Sequence, residues 1–229
     1  MPAFTPERVL VLGIGNVLWA DEGFGVRCVE RMAETHALPA GVRLLDGGTQ
    51  GLYLLPFLEE AEALIVFDAV DFGLAPGTLL TLRDGDVPAF MGAKKMSLHQ
   101  TGFQDVIATA QLMGHCPAHM TLIGCQPVEL EDYGGSLRPA VAEQVDPAIA
   151  EAVRELRTWG IEVGKGATIS NDLVDPSLSR DLYERGRPTE DEACRIGDHR
   201  FFPSAAQVRA RCVSAFPCNC GRARASAVT

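Results

Sequence analysis

The sequence predicts an α/β protein, a three-layer αβα sandwich around a twisted, mixed five-stranded sheet that is mostly parallel with one antiparallel strand. Three observations predict it. Short apolar runs of strand length alternate with segments of helical period. The runs close on Gly or Asp, as strands do where the chain turns out of a sheet. One connection between two runs is too short for a parallel crossover.

Residues 8–13, Arg-Val-Leu-Val-Leu-Gly, form the first run, apolar from Val9 on and stopped by glycine, as expected of a strand buried on both faces. From Glu22 onward, Gly25, Val26, Val29, Met32 and Ala33 recur at helical spacing. Val42 to Leu45 is a second strand, ended by Asp46-Gly47-Gly48-Thr49, and Gln50 to Glu62 is a helix carrying Leu54, Leu55 and Leu58. Ala63 to Ala69 is a third buried strand. Only the loop from Val70 to about Pro76 separates it from Gly77–Leu82, so this fourth strand is expected to run antiparallel. A helix starting near Thr101 carries Phe103, Val106, Ile107 and Ala110, and Met120 to Cys125 is the fifth strand. Val141, Val145, Ile149, Val153 and Leu156 mark a last helix. The sheet domain is therefore expected to span residues 1–164, with 165–229 a partly irregular C-terminal extension.

The 229 residues suffice for one well-buried domain with an appendage. A formal net charge of −10 excludes a nucleic-acid partner, which needs a basic surface. The charge is uneven: residues 165–229 hold 10 basic and 8 acidic side chains, so the extension is positive and the body strongly negative. The excess of basic residues suggests that the extension helps dock a partner. Seven cysteines without paired spacing fit reduced thiols. No secretory leader is visible, and no stretch is apolar enough to span a membrane. The expected compartment is the cytoplasm, with no membrane insertion.

Gly13-Ile14-Gly15-Asn16 follows the first strand and precedes a helix, the setting of a dinucleotide-binding loop. The third glycine of that fingerprint is replaced by Leu18. Asp21 and Glu22 put two carboxylates where a pyrophosphate needs bare helix-terminal amides. Asp46 stands where a ribose-binding acid would. The composition of the loop favours a cation over a phosphate, and no nucleotide cofactor is expected.

With a strand order beginning second-first-third, Glu22 lies just past the end of the first strand and Asp68 ends the third. An acid ending a buried strand is costly to keep charged unless it is paired or binds a cation. Taken singly, Asp68 reads as a cap or loop acceptor, and His99 as a surface or capping residue at a helix start. A Glu, an Asp and a His from three loops above one sheet edge also suit a borderline divalent metal. His115-Cys116-Pro117-Ala118-His119 is a rival ligand cluster, and Cys194, Cys212, Cys218 and Cys220 in the extension follow no standard zinc spacing. No nucleophile elbow occurs, and Cys28 falls on the apolar side of the first helix.

The run Val9-Leu10-Val11-Leu12-Gly13-Ile14-Gly15-Asn16-Val17-Leu18, with Ala20-Asp21-Glu22-Gly23-Phe24-Gly25-Val26, closely resembles the opening of the [NiFe]-hydrogenase maturation endopeptidases. The resemblance continues in order through Leu45-Asp46-Gly47-Gly48-Thr49, Phe67-Asp68-Ala69-Val70, Pro76-Gly77-Thr78 and Ser97-Leu98-His99-Gln100-Thr101-Gly102, up to about residue 160. It implies a phosphorylase/hydrolase-like fold and an aspartyl-type endopeptidase whose metal-binding and catalytic positions match Glu22, Asp68 and His99. It implies as partner the large-subunit precursor of a [NiFe]-hydrogenase, processed by removal of a C-terminal extension once nickel is in place, and contact with other maturation factors. The nickel would be recognised in the precursor. The same trio would also serve a nickel-sensing chaperone that binds the precursor without cutting it.

Overall fold

The computed structural model describes residues 4–88, 98–168 and 180–186, with the side chains of 98–102 outside that description. Strand β1 (Val9–Ile14) is followed by a 3-10 turn (Ala20–Gly23) and helix α1 (Phe24–Thr35). A two-residue strand β2 (His36–Ala37) leads to β3 (Val42–Gly48), a second 3-10 turn (Gly51–Leu54) and helix α2 (Leu55–Glu60). Strands β4 (Ala63–Ala69) and β5 (Leu79–Arg83) precede helix α3 (Leu98–Met113) and β6 (His119–Cys125). Helices α4 (Pro139–Ala142) and α5 (Val145–Thr158), strand β7 (Gly164–Lys165) and helix α6 (Arg180–Gly186) complete the order.

The sheet runs β3-β1-β4-β6-β5. Strands β3, β1, β4 and β6 are mutually parallel, and β5 is antiparallel to β6. This is the mixed five-stranded sheet expected, with the antiparallel strand where the short connection after β4 demands it. Every residue of β1 and β4 is buried, because helices cover both faces. One face packs Phe24, Cys28, Val29 and Met32 of α1 with Ile149, Val153 and Leu156 of α5. The other packs Leu54 and Leu58 with Phe103, Val106, Ile107 and Ala110 of α3.

Boundaries differ where local chemistry cuts an element. The helix expected from Gln50 begins as a 3-10 turn and gives way to α2, whose first turn accommodates Pro56. The last helix is split into α4 and α5. Of the extension, β7 pairs antiparallel with β2, and Thr168 accepts a backbone N–H from Leu38 while donating to the His36 carbonyl. Period and propensity alone carry no sign of this two-residue ladder. The described residues, up to Gly186, form one compact unit.

Candidate functional site

The carboxyl ends of β1 and β4 lie side by side, with Gly13 paired to Phe67, and Asp68 follows directly. Between them the chain order reverses, since β1 is flanked by β3 on one side and β4 on the other. Such a switch point opens a crevice above the strand ends. The 3-10 turn bearing Glu22 lies against β4. Two glycines permit this approach. A Cβ at Gly25 would stand 2.2 Å from the Phe67 carbonyl oxygen and 2.3 Å from that of Ile14. Gly15, at φ +129°, would place a Cβ 1.7 Å from the Glu22 carbonyl oxygen. Any side chain at either position pushes Glu22 away from the strand ends.

The turn is fixed by a carboxylate whose role the sequence did not reveal. Asp21 is fully buried. Its Oδ2 accepts the N–H groups of Val128 and Glu129 at 2.8 and 2.9 Å, and its Oδ1 accepts that of Arg138 at 2.6 Å. Its own N–H donates to the Glu129 carbonyl. Three N–H donors are what a buried carboxylate needs to stay satisfied. Asp21 is thus a tether between the turn and the loop after β6, while its neighbour Glu22 faces a different task. Adjacent acids in a motif give no signal of which is which.

Glu22 is half-buried, with its Oε2 withdrawn from solvent, and burial raises its carboxyl to about 7. Asp68 is buried at 4% exposure and pairs in register with Gly124 of β6. Asp46, the next acid along this edge, is opposite Gly13 at the end of β3. Burial raises it to about 6, against the N–H of Gly48 and the charge of Arg27, which both favour its ionised form. His99 lies in the first turn of α3, and its side chain falls outside the described residues. The topology still places that turn. β6 starts at His119 opposite Ala63, the amino end of β4, so α3, which ends at Met113, returns from the carboxyl edge. A 16-residue helix spans about 24 Å, enough to cross the sheet. α3 also packs on the Gly51–Leu54 turn that follows β3.

This edge carries carboxyl groups that water does not fully reach. A carboxyl near 7 exchanges protons readily at neutral pH, and a nearby cation would pull it into the ionised form.

Other predicted groups lie elsewhere. The His115–His119 cluster is at the amino end of β6, across the sheet from Asp68. His119 Nδ1 is 3.3 Å from Asp84, its ring is 4.0 Å from that of Phe4, and Cys116 Sγ approaches Met120 Sδ at 3.7 Å. Among the described residues no group of three His, Cys, Asp or Glu is arranged to hold a metal. Cys28 is fully buried, and burial, followed by neighbouring Cys125, raises its thiol well above the usual range. Burial, then the charge of Asp21, pushes Cys125 up to about 12. Neither is a thiolate nucleophile at neutral pH. Cys194, Cys212, Cys218 and Cys220 lie outside the described residues.

Residues 26–155 match the family model described as hydrogenase maturation protease. The chain belongs to the hydrogenase maturation protease family. The protease is 91% identical over 210 residues to the hydrogenase expression/formation protein HupD of Rhodobacter capsulatus, a match covering 92% of this chain and all of that one. It is 42% identical over 156 residues to the hydrogenase 2 maturation protease of Escherichia coli K12, covering 68% of this chain and 94% of the relative. The solved hydrogenase maturating endopeptidase HybD from E. coli superposes with a TM-score of 0.65 at 40% identity, over 69% of this chain and 97% of that one. The protease is therefore a hydrolase, an endopeptidase of hydrogenase maturation, and has the fold of that group.

Proposed function

We propose that this protease removes the C-terminal propeptide of a [NiFe]-hydrogenase large-subunit precursor after nickel has been loaded, with Glu22, Asp68 and His99 as the residues that recognise the precursor's nickel and carry the cut. The observation that carries the reading is two acids at the same sheet edge, Glu22 on the 3-10 turn packed against β4 and raised to about 7, and Asp68 buried near the end of β4. A carboxyl held near neutrality is matched to accept a proton from an attacking water at working pH, the role expected in an aspartyl-type endopeptidase. Nickel arriving in the precursor would meet two oxygen donors and an imidazole, so an unloaded precursor would lack the ion that draws Glu22 into its ionised form.

The surroundings suit a polypeptide substrate. Leu74 at 45%, Val128 at 49% and Tyr133 at 53% exposure rim the carboxyl edge, and Tyr133 stacks edge-on with Trp19, ring centroids 5.3 Å apart. The loops bearing them are tied together. Gln126 Oε1 accepts the N–H groups of Phe72 and Leu74, and Asp21 accepts that of Val128. Such a rim of exposed apolar groups around a site marks a protein-contacting surface. The free thiols of Cys28, Cys116 and Cys125 accord with action in the cytoplasm.

Two routes to cleavage differ in what the trio does. In one, Glu22 or Asp68 takes the proton of the attacking water; in the other, the trio only positions the nickel-bearing precursor. Nickel-dependent precursor binding and single-turnover cleavage are to be compared in Asp68→Asn and His99→Ala. Loss of cleavage with binding intact supports the first route; parallel loss of both supports the second.

A further inference from the structure

Helix α6 (Arg180–Gly186) belongs to the C-terminal extension and lies beyond residue 155, where the family model ends. It is nevertheless joined to the elements that hold Glu22. The Arg180 N–H donates to Glu30 Oε1 at 2.6 Å, and Glu30 Oε2 pairs with Arg27 at 2.8 Å. The Arg27 guanidinium lies 5.5 Å from the centre of the Tyr183 ring. Tyr183 donates its hydroxyl to the Gly135 carbonyl at 3.3 Å, and the Ser136 hydroxyl donates to the Glu184 carboxylate. α6 thus grips both the first turns of α1 and the loop of residues 132–138.

That loop is in turn fastened to the Glu22 turn. The Gly134 N–H donates to the Leu18 carbonyl at 2.7 Å, and the Arg138 N–H to Asp21 Oδ1 at 2.6 Å. Val17, Ala20 and Gly23 line one small cleft together with Tyr183 and Glu184. Arg27, only 6% exposed, lines it too. A guanidinium so deeply placed needs a carboxylate partner, which Glu30 supplies, and the Tyr183 ring of the extension adds a cation–π contact.

We infer that α6 is a clamp on the active edge, with Tyr183 and Glu184 acting as positioning residues that hold the Leu18–Gly23 turn, and with it Glu22, against the end of β4. The inference rests on the proteolytic reading only for its kinetic consequence; the mechanical one stands apart from it. An extension often serves to capture a partner, and its basic balance points that way. The contacts here run inward instead, to α1 and to the loop that Asp21 anchors.

The full chain is to be compared with Tyr183→Ala, Glu184→Gln and the conservative Tyr183→Phe, using single-turnover cleavage of nickel-loaded precursor and amide hydrogen exchange over residues 16–25. The clamp predicts that Tyr183→Ala lowers kcat on the order of tenfold, because small misplacements of a catalytic group are costly, with KM unchanged to within about twofold. It predicts on the order of tenfold faster exchange in the turn, as expected when a local brace is removed. Tyr183→Phe, which keeps the ring over Arg27 and loses only the 3.3 Å hydroxyl bond to Gly135, restores most of both; Glu184→Gln gives a smaller loss in the same direction. A rise in KM with kcat unchanged would make α6 a docking element and overturn the clamp, as would unchanged exchange in all three variants. If the wild-type chain fails to cut the precursor while exchange still responds to Tyr183→Ala, the proteolytic reading fails and the clamp stands.

Discussion

Replacing Asp21 tests whether the two adjacent acids have separate roles. In Asp21→Ala, the N–H groups of Val128, Glu129 and Arg138 lose their acceptor together. A buried donor left unsatisfied costs about 1–3 kcal/mol, and water reaches the rim of this loop, so the sum is about 3–6 kcal/mol. Asp21→Asn keeps the shape. Its amide oxygen can take the place of Oδ2, but its NH2 group then faces the Arg138 N–H, donor against donor, for a loss of about 1–3 kcal/mol. Urea unfolding followed by far-UV circular dichroism measures both. The expected result is a lower midpoint with unchanged slope, and a larger shift for Ala than for Asn. Because the tether directly precedes Glu22, both variants also lose cleavage. If Asp21→Asn were within about 0.5 kcal/mol of the wild type, the tether would not be a significant source of stability, and the division of labour between Asp21 and Glu22 would be refuted.

Three further outcomes test this placement of the site. Gly25→Ala gains helix propensity of about 1 kcal/mol but drives a methyl into two backbone carbonyls, so a net loss of about 1–3 kcal/mol is expected in thermal unfolding. In metal-free protein, Glu22 is raised to about 7 in the folded state against an ordinary 4.5, so the folded state binds more protons between those values and stability falls as pH rises through that window. Glu22→Gln therefore stabilises the metal-free protein at pH 8 by about 1–2 kcal/mol, discounted for partial solvent access, and has no such effect near pH 4, while cleavage is lost; melting curves at the two pH values decide it. A cleft at the opposite, amino end of the sheet, lined by Arg8, Arg43 and Phe57, plays no part in this account, so Arg43→Ala should leave single-turnover cleavage within about twofold of the wild type.

Much of this architecture was legible because strand and helix periods are strong where burial is complete. β1 is apolar throughout and β4 is apolar but for Asp68, and their observed bounds lie within a residue of the expected ones or match them. The antiparallel placement of β5 came from loop length alone. Glu22 and Asp68 could be assigned to one edge because parallel topology puts strand ends together. Asp21 could not be separated from Glu22, since its partners are backbone groups more than a hundred residues away that leave no side-chain signature. α6 escaped notice for a related reason: seven residues without a buried apolar stripe, held by polar and ring contacts, show no helical period. Asp46 sits in sequence where a ribose ligand would, and its raised carboxyl follows only from the burial of the β3 end.

The central claim is a nickel-gated cut at the carboxyl edge of the sheet, and intact mass measurement tests it most directly. Purified protease is incubated with the large-subunit precursor, with and without nickel loaded, and both products are weighed. The account predicts loss of a C-terminal peptide from the nickel-loaded precursor alone, and no loss with Glu22→Gln. Equal cleavage of both forms, or an unchanged mass in both while a stable complex forms, would contradict it.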